Sequence, residues 1–320
     1  MINNDKKNII TIGTFDGVHL GHQALIKKLV AYAKTTKKTS IVLTYKKHPR
    51  EVIRKELSPY ILAEDIKRTR ILKKLGVDQI AYIPFDEKFA LISAEEFIES
   101  YLIKNFNPAA IIIGYDTHFG HNKKGNIDLL EEYAKKFNFE LIQTEPLTMQ
   151  NNKIISSSLI RDFVKNGLME NAQHYLGYYY SIMGNVVSGK QLGRKMGFPT
   201  INIKPIEKYK LIPANGVYVA ACKVYKKSDK FLPESQDFYI CAANIGTSPS
   251  VKTSGLITIE GHLINYTGDL YHNDVELYFL HKIRDEIKFD NKEQLIKQID
   301  TDVKYTVDFF DKFQDWAKLW

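Results

Sequence analysis

Cysteine is nearly absent from this chain: Cys222 and Cys241 are the only two in 320 residues. Both fall in apolar, strand-like runs without metal or redox spacing, which argues against a disulfide-stapled scaffold and leaves buried free thiols as the expectation. No apolar run approaches the roughly 20 residues that cross a bilayer. The opening Met-Ile-Asn-Asn-Asp-Lys-Lys lacks the apolar core of a signal peptide. Internal repeats and low-complexity segments are also missing. These absences together favour a cytoplasmic protein with no membrane partner.

Charge is present in excess of one sign. The formal net charge is +8, with 26% charged and 44% hydrophobic residues. The lysines are scattered in pairs (Lys27-Lys28, Lys37-Lys38, Lys135-Lys136) and not gathered into one basic arm. That pattern suits a solvated surface attracting polyanionic small molecules better than a nucleic-acid interface.

The length accommodates two domains, and the pattern changes along the chain. Strand-like runs at Asn8–Gly13, Ser40–Tyr45, Gln79–Ile83, Ala109–Gly114 and Phe139–Gln143 alternate with amphipathic stretches such as Leu20–Lys34, Ile66–Leu75, Ala94–Lys104 and Ile127–Phe137. Apolar strands separated by helices predict a parallel α/β sheet covered on both faces. From Ser181 onward the runs Tyr180–Val187, Gly216–Val224, Phe238–Asn244, Leu256–Ile264 and Val275–Ile283 are short and turn-separated, which predicts an antiparallel barrel or sandwich. Lys292–Phe313 reads as a final helix packed on it. The boundaries are therefore 1–168, a hinge at 169–180 containing a short helix, and 181–320.

Two segments carry chemistry. Residues 13–22, Gly-Thr-Phe-Asp-Gly-Val-His-Leu-Gly-His, join the first strand to the first helix, and His19 and His22 lie three apart at a helix start. That spacing puts both rings on one face over a helix N-terminus, which favours phosphate. A His-x-x-His pair alone is more often a surface pair or a metal site. Ser156-Ser157-Ser158-Leu159-Ile160-Arg161 adds hydroxyls at another helix start with an arginine one turn in, though such a run is also an ordinary N-cap. The second segment, Gly189 to Asn202, spaces Gly189, Gly193 and Gly197 four apart among basic residues including Arg194. Such a loop can wrap phosphates, or it can be a plain turn-rich connection. Thr200 and Asn202 follow on one side of an extended segment, and their oxygens suit Mg²⁺.

The combination resembles the bacterial bifunctional riboflavin kinase/FMN adenylyltransferase family. The resemblance rests on the 13–22 motif and on His48-Pro49-Arg50-Glu51-Val52, Ile83-Pro84-Phe85-Asp86, Ser93-Ala94-Glu95-Glu96-Phe97 and Gly114–Gly120. In the second half it rests on Gly197-Phe198-Pro199-Thr200-Ile201-Asn202, Gly216-Val217-Tyr218, Asn244-Ile245-Gly246-Thr247 and Ile259-Glu260-Gly261-His262-Leu263, then on Asp269-Leu270-Tyr271 and Ile283–Phe289. It covers nearly the whole chain. Thr14, Ser158, His118, the Ser248-Pro249-Ser250 run and His272 depart from the usual family residues.

The resemblance implies an N-terminal Rossmann-like nucleotidylyltransferase domain and a C-terminal six-stranded riboflavin-kinase-type barrel. The first would bind ATP at Gly13, Phe15, Asp16 and Gly21, with His19, His22 and Arg161 catalytic, Ser156 and Ser157 closing over the phosphates, and Asp116 and Phe119 lining the flavin side. The second would hold ATP at Gly189, Gly193, Arg194 and Gly197 and Mg²⁺ at Thr200 and Asn202. Glu260 would be its general base, Asn244, Arg284 and Phe289 would border the flavin, and His262 is expected to be structural. Substrates would be riboflavin, FMN and ATP, with FMN and FAD as products and no obligate protein partner. A kinase with a weakened adenylyltransferase is the nearer alternative. A flavin- or RNA-binding regulator is the farther one, and it would be marked by loss of His19, His22, Thr200, Asn202 or Glu260, none of which is lost.

Overall fold

A computed structural model describes residues 7–53, 60–149, 153–189, 192–225, 237–247 and 257–314. The described chain forms two compact units. The first runs through Ser157 but leaves out Tyr60–Glu64, which belong with Ser158 onward in the second.

The first unit contains β1 (Asn8–Ile12), α1 (Leu20–Thr35), β2 (Ser40–Tyr45), α2 (Pro49–Ile53), α3 (Asp65–Lys74) and β3 (Gln79–Ile83). A helical run follows, made of α4 (Ala94–Glu96), a π-helical stretch Phe97–Ile103 and α5 (Lys104–Phe106). It closes with β4 (Pro108–Gly114), α6 (Ile127–Phe137) and β5 (Glu140–Thr144). All four strand pairings are parallel, in the order β3-β2-β1-β4-β5. Ile9, Ile10, Ile41, Val42, Leu43 and Ile111 are wholly buried, because helices cover both faces of such a sheet. The chain order reverses between β1 and β4, and ligands of open α/β sheets bind beyond the strand ends at that switch point. The two glycine-bearing motifs follow β1 and β4, so both lie at that rim.

The second unit holds most of α7 (Ser157–Lys165), then α8 (Met169–Leu176), β6 (Ser181–Val187), α9 (Leu192–Lys195), β7 (Ile201–Pro205) and β8 (Gly216–Tyr225). β9 (Asp237–Thr247), β10 (Ile257–Leu263), β11 (Asp274–Arg284) and α10 (Lys292–Asp311) complete it. Its strands close into an antiparallel barrel in the order β10-β7-β6-β11-β8-β9. Phe310 of α10 is buried in a cluster with Tyr179, Val219, Ala221 and Tyr278, so the last helix packs on β8 and β11. Met169, Ala172 and Leu176 of α8 are also wholly buried, which makes α8 a packed helix of this unit. Cys222 and Cys241 are buried free thiols, and burial pushes Cys222 up to about 12.

The stretch Tyr60–Glu64 is bound into the barrel unit by buried polar contacts. The backbone N–H groups of Tyr60 and Ile61 both donate to the Tyr209 carbonyl. Lys210 Nζ donates to the Leu62 carbonyl at 2.7 Å and pairs with Glu64 at 3.0 Å, the two side chains being 0% and 2% exposed. The other Glu64 carboxylate oxygen accepts the Met183 N–H at 2.9 Å, and Lys210 lies over the Tyr180 ring. A buried pair of charges is tolerated only when its remaining hydrogen-bonding capacity is filled in this way.

Candidate functional site

In the first unit the site is built on the turn between β1 and α1. Phe15, Gly17 and Val18 all have positive φ (47°, 78° and 34°). Glycine adopts that conformation freely, whereas a β-branched residue such as Val18 is strained by about 1–3 kcal/mol. The turn ends at His19, the N-cap of α1, whose Nδ1 accepts the His22 backbone N–H at 3.3 Å. The His19 and His22 rings stack with centroids 3.6 Å apart and planes at 16°, and Phe15 meets His22 edge-on at 5.3 Å. The three-residue spacing thus brings both imidazoles together at a helix N-terminus.

Ser157 joins them across 141 residues of sequence, its hydroxyl donating to the Asp16 carbonyl at 3.0 Å. Asp16 itself is 2% exposed. The turn has a further support that sequence reading missed. Arg68 of α3 donates to the Thr14 carbonyl at 3.2 Å and to the Tyr45 carbonyl, and it pairs with Asp65 at 2.7 Å. Nothing in Asp65–Lys74 distinguishes Arg68 from its basic neighbours as text, so no sequence signal marked it.

The remaining residues expected around this site fall in different settings. Asp116 is exposed in the turn after β4, at the same rim. Phe119 is 5% exposed, with its ring 5.5 Å from that of Phe97, and belongs to the apolar core of the unit. Arg161 belongs to the second unit, where its Nε donates to the Tyr60 carbonyl at 2.7 Å.

In the barrel, strand register assembles the other site. Asn202 on β7 pairs with Glu260 on β10, Glu260 with Asn244 on β9, Asn244 with Val217 on β8, and Val217 with Arg284 on β11. Register partners project to the same side of a sheet. Those five residues therefore form one row across five of the six strands, and all five line a cavity of about 350 Å³. Thr200 and Phe289 line it too, while Leu295, Ile299 and Val303 of α10 supply an apolar wall. An apolar wall facing convergent polar groups is the usual make-up of a small-molecule site.

Arg284 is held by α10. Its Nε and Nη2 donate to Asp302 at 3.1 and 2.7 Å, and Nη1 donates to the Asp285 carbonyl at 3.0 Å. It therefore pins the helix across the cavity. His262, expected to be structural, makes a 2.8 Å hydrogen bond through Nδ1 to the Pro199 carbonyl, next to Thr200. A smaller cavity of about 80 Å³ lies among Arg194, Thr200, Ile201, Tyr266, Asp269 and Tyr271. Thr200 lines both cavities. Tyr266 was not legible as a site residue, because an isolated tyrosine near a turn carries no chemical signature, and Tyr271 was read only as part of the Asp269-Leu270-Tyr271 motif.

The glycine-spaced segment adjoins this row. A Cβ on Gly189 would lie 2.0 Å from the Asn202 amide nitrogen, so the bare backbone at 189 is what lets the loop lie against Asn202. Gly193 lines the larger cavity with Arg194 beside it on the smaller, and its carbonyl accepts the Met196 and Phe198 N–H groups. Gly197 takes φ +87° in that closure. Thr200 Oγ and Asn202 Oδ1 are hard oxygen donors of the kind Mg²⁺ prefers. Among the described residues no group of three or more His, Cys, Asp or Glu is placed to hold a metal. An ion here would complete its shell with phosphate oxygens and water.

Comparison with known proteins finds relatives for both halves of the chain. The FAD synthetase family model matches residues 1–158, and the riboflavin kinase model matches residues 176–310. The bifunctional riboflavin kinase/FMN adenylyltransferase of Buchnera aphidicola subsp. Schizaphis graminum is 35% identical over 96% of this chain and 95% of its own. Its counterpart in Haemophilus influenzae is 35% identical over 94% of each chain, and that of Escherichia coli K12 is 32% identical over 94% of this chain and 92% of its own. A crystal structure described as a macrolide-efflux protein from Streptococcus pneumoniae superposes with a TM-score of 0.83 at 28% identity, covering 98% of this chain and 96% of that one. Among the described residues of the present chain, no helix is long and apolar enough to cross a membrane. At this identity and coverage in both halves, the chain belongs to the bifunctional riboflavin kinase/FMN adenylyltransferase family.

Proposed function

We propose that the chain runs two consecutive ATP-dependent reactions. The barrel transfers the γ-phosphoryl group of ATP to the 5′-hydroxyl of riboflavin, giving FMN and ADP. The α/β part then joins AMP from a second ATP to the FMN phosphate, giving FAD and pyrophosphate. We divide the work between residues 1–168 and 181–320, with 169–180 connecting them. The observation that carries the reading is the row Asn202–Glu260–Asn244 at one cavity, in a chain that matches both family models.

In the kinase step, riboflavin occupies the 350 Å³ cavity against α10, and ATP enters from the smaller one. Their shared wall at Thr200 is where γ-phosphate and hydroxyl meet. Glu260 takes the hydroxyl proton as the oxygen attacks phosphorus, and ADP leaves. Thr200 and Asn202 would hold Mg²⁺, which neutralises phosphate charge when bound. Gly189, Gly193, Arg194 and Gly197 line the phosphate path, while Arg284 and Phe289 border the flavin.

In the adenylyl step the FMN phosphate is already ionised, so no base is required. His19 and His22 donate hydrogen bonds to the ATP phosphates and to the charge that develops as pyrophosphate leaves. Gly13, Phe15, Asp16 and Gly21 shape the turn around them, Ser156 and Ser157 serve as further phosphate contacts, and Asp116 faces the nucleotide. We extend the same role to Phe119 on the flavin side only through the core packing that shapes that wall. Two buried free thiols favour a reducing compartment, the cytoplasm.

Incubating the chain with riboflavin and ATP, and separately with FMN and ATP, tests the reading. FMN and then FAD are expected in the first, and FAD in the second. FMN without FAD would reduce the chain to a kinase. Gly189→Ala offers a sharper check of the phosphate loop, because the added methyl collides with Asn202. FMN formation is expected to fall by roughly tenfold or more with a raised Mg²⁺ requirement, while FAD formation from supplied FMN stays unchanged.

A further inference from the structure

We propose that Gln23 is a positioning residue for adenylyl transfer, clamping the strained turn from which His19 projects. The proposal rests on the assignment of that reaction to the first unit. Gln23 lies on the first turn of α1, one residue past His22. Its side-chain amide donates to the Val18 carbonyl at 2.9 Å, and its backbone N–H donates to the His19 carbonyl at 2.8 Å. One residue thus grips the two peptide units that flank the catalytic histidine.

The need for a clamp follows from the backbone. Val18 is wholly buried and β-branched, yet it sits at φ +34°, in a turn where Phe15 and Gly17 are also left-handed. Such a conformation persists only where surrounding contacts over-determine it. Three other carbonyls of the turn have donors of their own: Arg68 and Thr44 for Thr14, the Val18 N–H for Phe15, and Ser157 for Asp16. Those bonds hold the turn before Val18. Gln23 holds its last carbonyl, at the strained residue itself. If Val18 relaxed to negative φ, the next residue would swing, and the stack of His19 on His22 at 3.6 Å would open.

Gln23→Met keeps the length of the side chain and removes its donor, and Gln23→Glu keeps the shape while replacing the donor with an acceptor facing the carbonyl. Gln23 is partly exposed, so both changes are compatible with folding. For each variant, kcat and KM for FAD formation from FMN are measured beside FMN formation from riboflavin, and the histidine ring resonances are followed by NMR. The expected result is a kcat for FAD formation lowered roughly tenfold to a hundredfold. KM for FMN and the rate of FMN formation stay put, and the His19 and His22 resonances shift. Unchanged adenylylation, or an equal fall in both activities, would overturn the proposal, the latter because it marks a purely structural role. If the parent chain forms no FAD, the adenylyl-transfer assignment fails by itself. The NMR readout then still decides the clamp, and unshifted ring resonances in both variants would sink it.

Discussion

Glu260→Gln is expected to cut FMN formation by a factor of about 10²–10⁴ while FAD formation from supplied FMN continues at the parent rate. Glutamine keeps the size and the hydrogen-bonding reach of the side chain but cannot accept the riboflavin proton. Among the described residues, three carboxylates line the larger cavity: Glu260, Glu286 and Asp302. Asp302 accepts from Arg284 at 2.7 Å and from Gln298 at 2.9 Å, and it is 4% exposed. Glu286 accepts from Asn215 at 2.9 Å. Both are engaged in holding structure. Glu260 stands between Asn202 and Asn244 in the transverse row, beside the cavity wall where the two substrates would meet. Product separation after incubation with riboflavin checks the prediction, and normal FMN formation in the variant would remove Glu260 from the base role.

His22→Ala is expected to have the complementary effect, with FMN accumulating and FAD formation lowered by about 10²–10³. This substitution isolates the imidazole, because the bond that caps α1 uses the His22 backbone N–H and survives the loss of the ring. His19→Ala would remove the cap as well, at a cost of about 0.5–2 kcal/mol to the helix, so its effect on rate is mixed with one on stability. Quantifying FAD and FMN in a single time course distinguishes the outcomes. A variant that makes FAD at the parent rate would show that the stacked pair only builds the helix start.

The alternation of apolar runs located the parallel sheet well, since buried strands flanked by helices leave continuous β-branched runs. Ser40–Tyr45 and Gln79–Ile83 have the bounds expected of them. β7 was the hard strand: five residues ending at Pro205, recognisable only as an extended stretch through Thr200 and Asn202. In the barrel the cavity-lining residues were legible one at a time, but their common row was not, because register depends on which strands become neighbours. Arg68 and Gln23 were illegible for a related reason. Each acts through a hydrogen bond to a backbone carbonyl, and a carbonyl leaves no mark in a sequence.

Tyr60–Glu64 carries a consequence for how such a chain can be divided. The barrel unit is discontinuous in sequence, and its buried Lys210 takes its counter-charge from a segment almost 150 residues upstream. A gene fission anywhere from the unit boundary at residue 158 to the segment 169–180 would give a downstream product without Glu64, enclosing an ammonium group with no carboxylate opposite it. Losing one partner of a buried ion pair typically costs about 3–5 kcal/mol, a large part of a domain's stability. A viable kinase fragment would have to lose the lysine as well or carry the upstream strap with it. The two halves are thus easier to keep on one polypeptide than to separate.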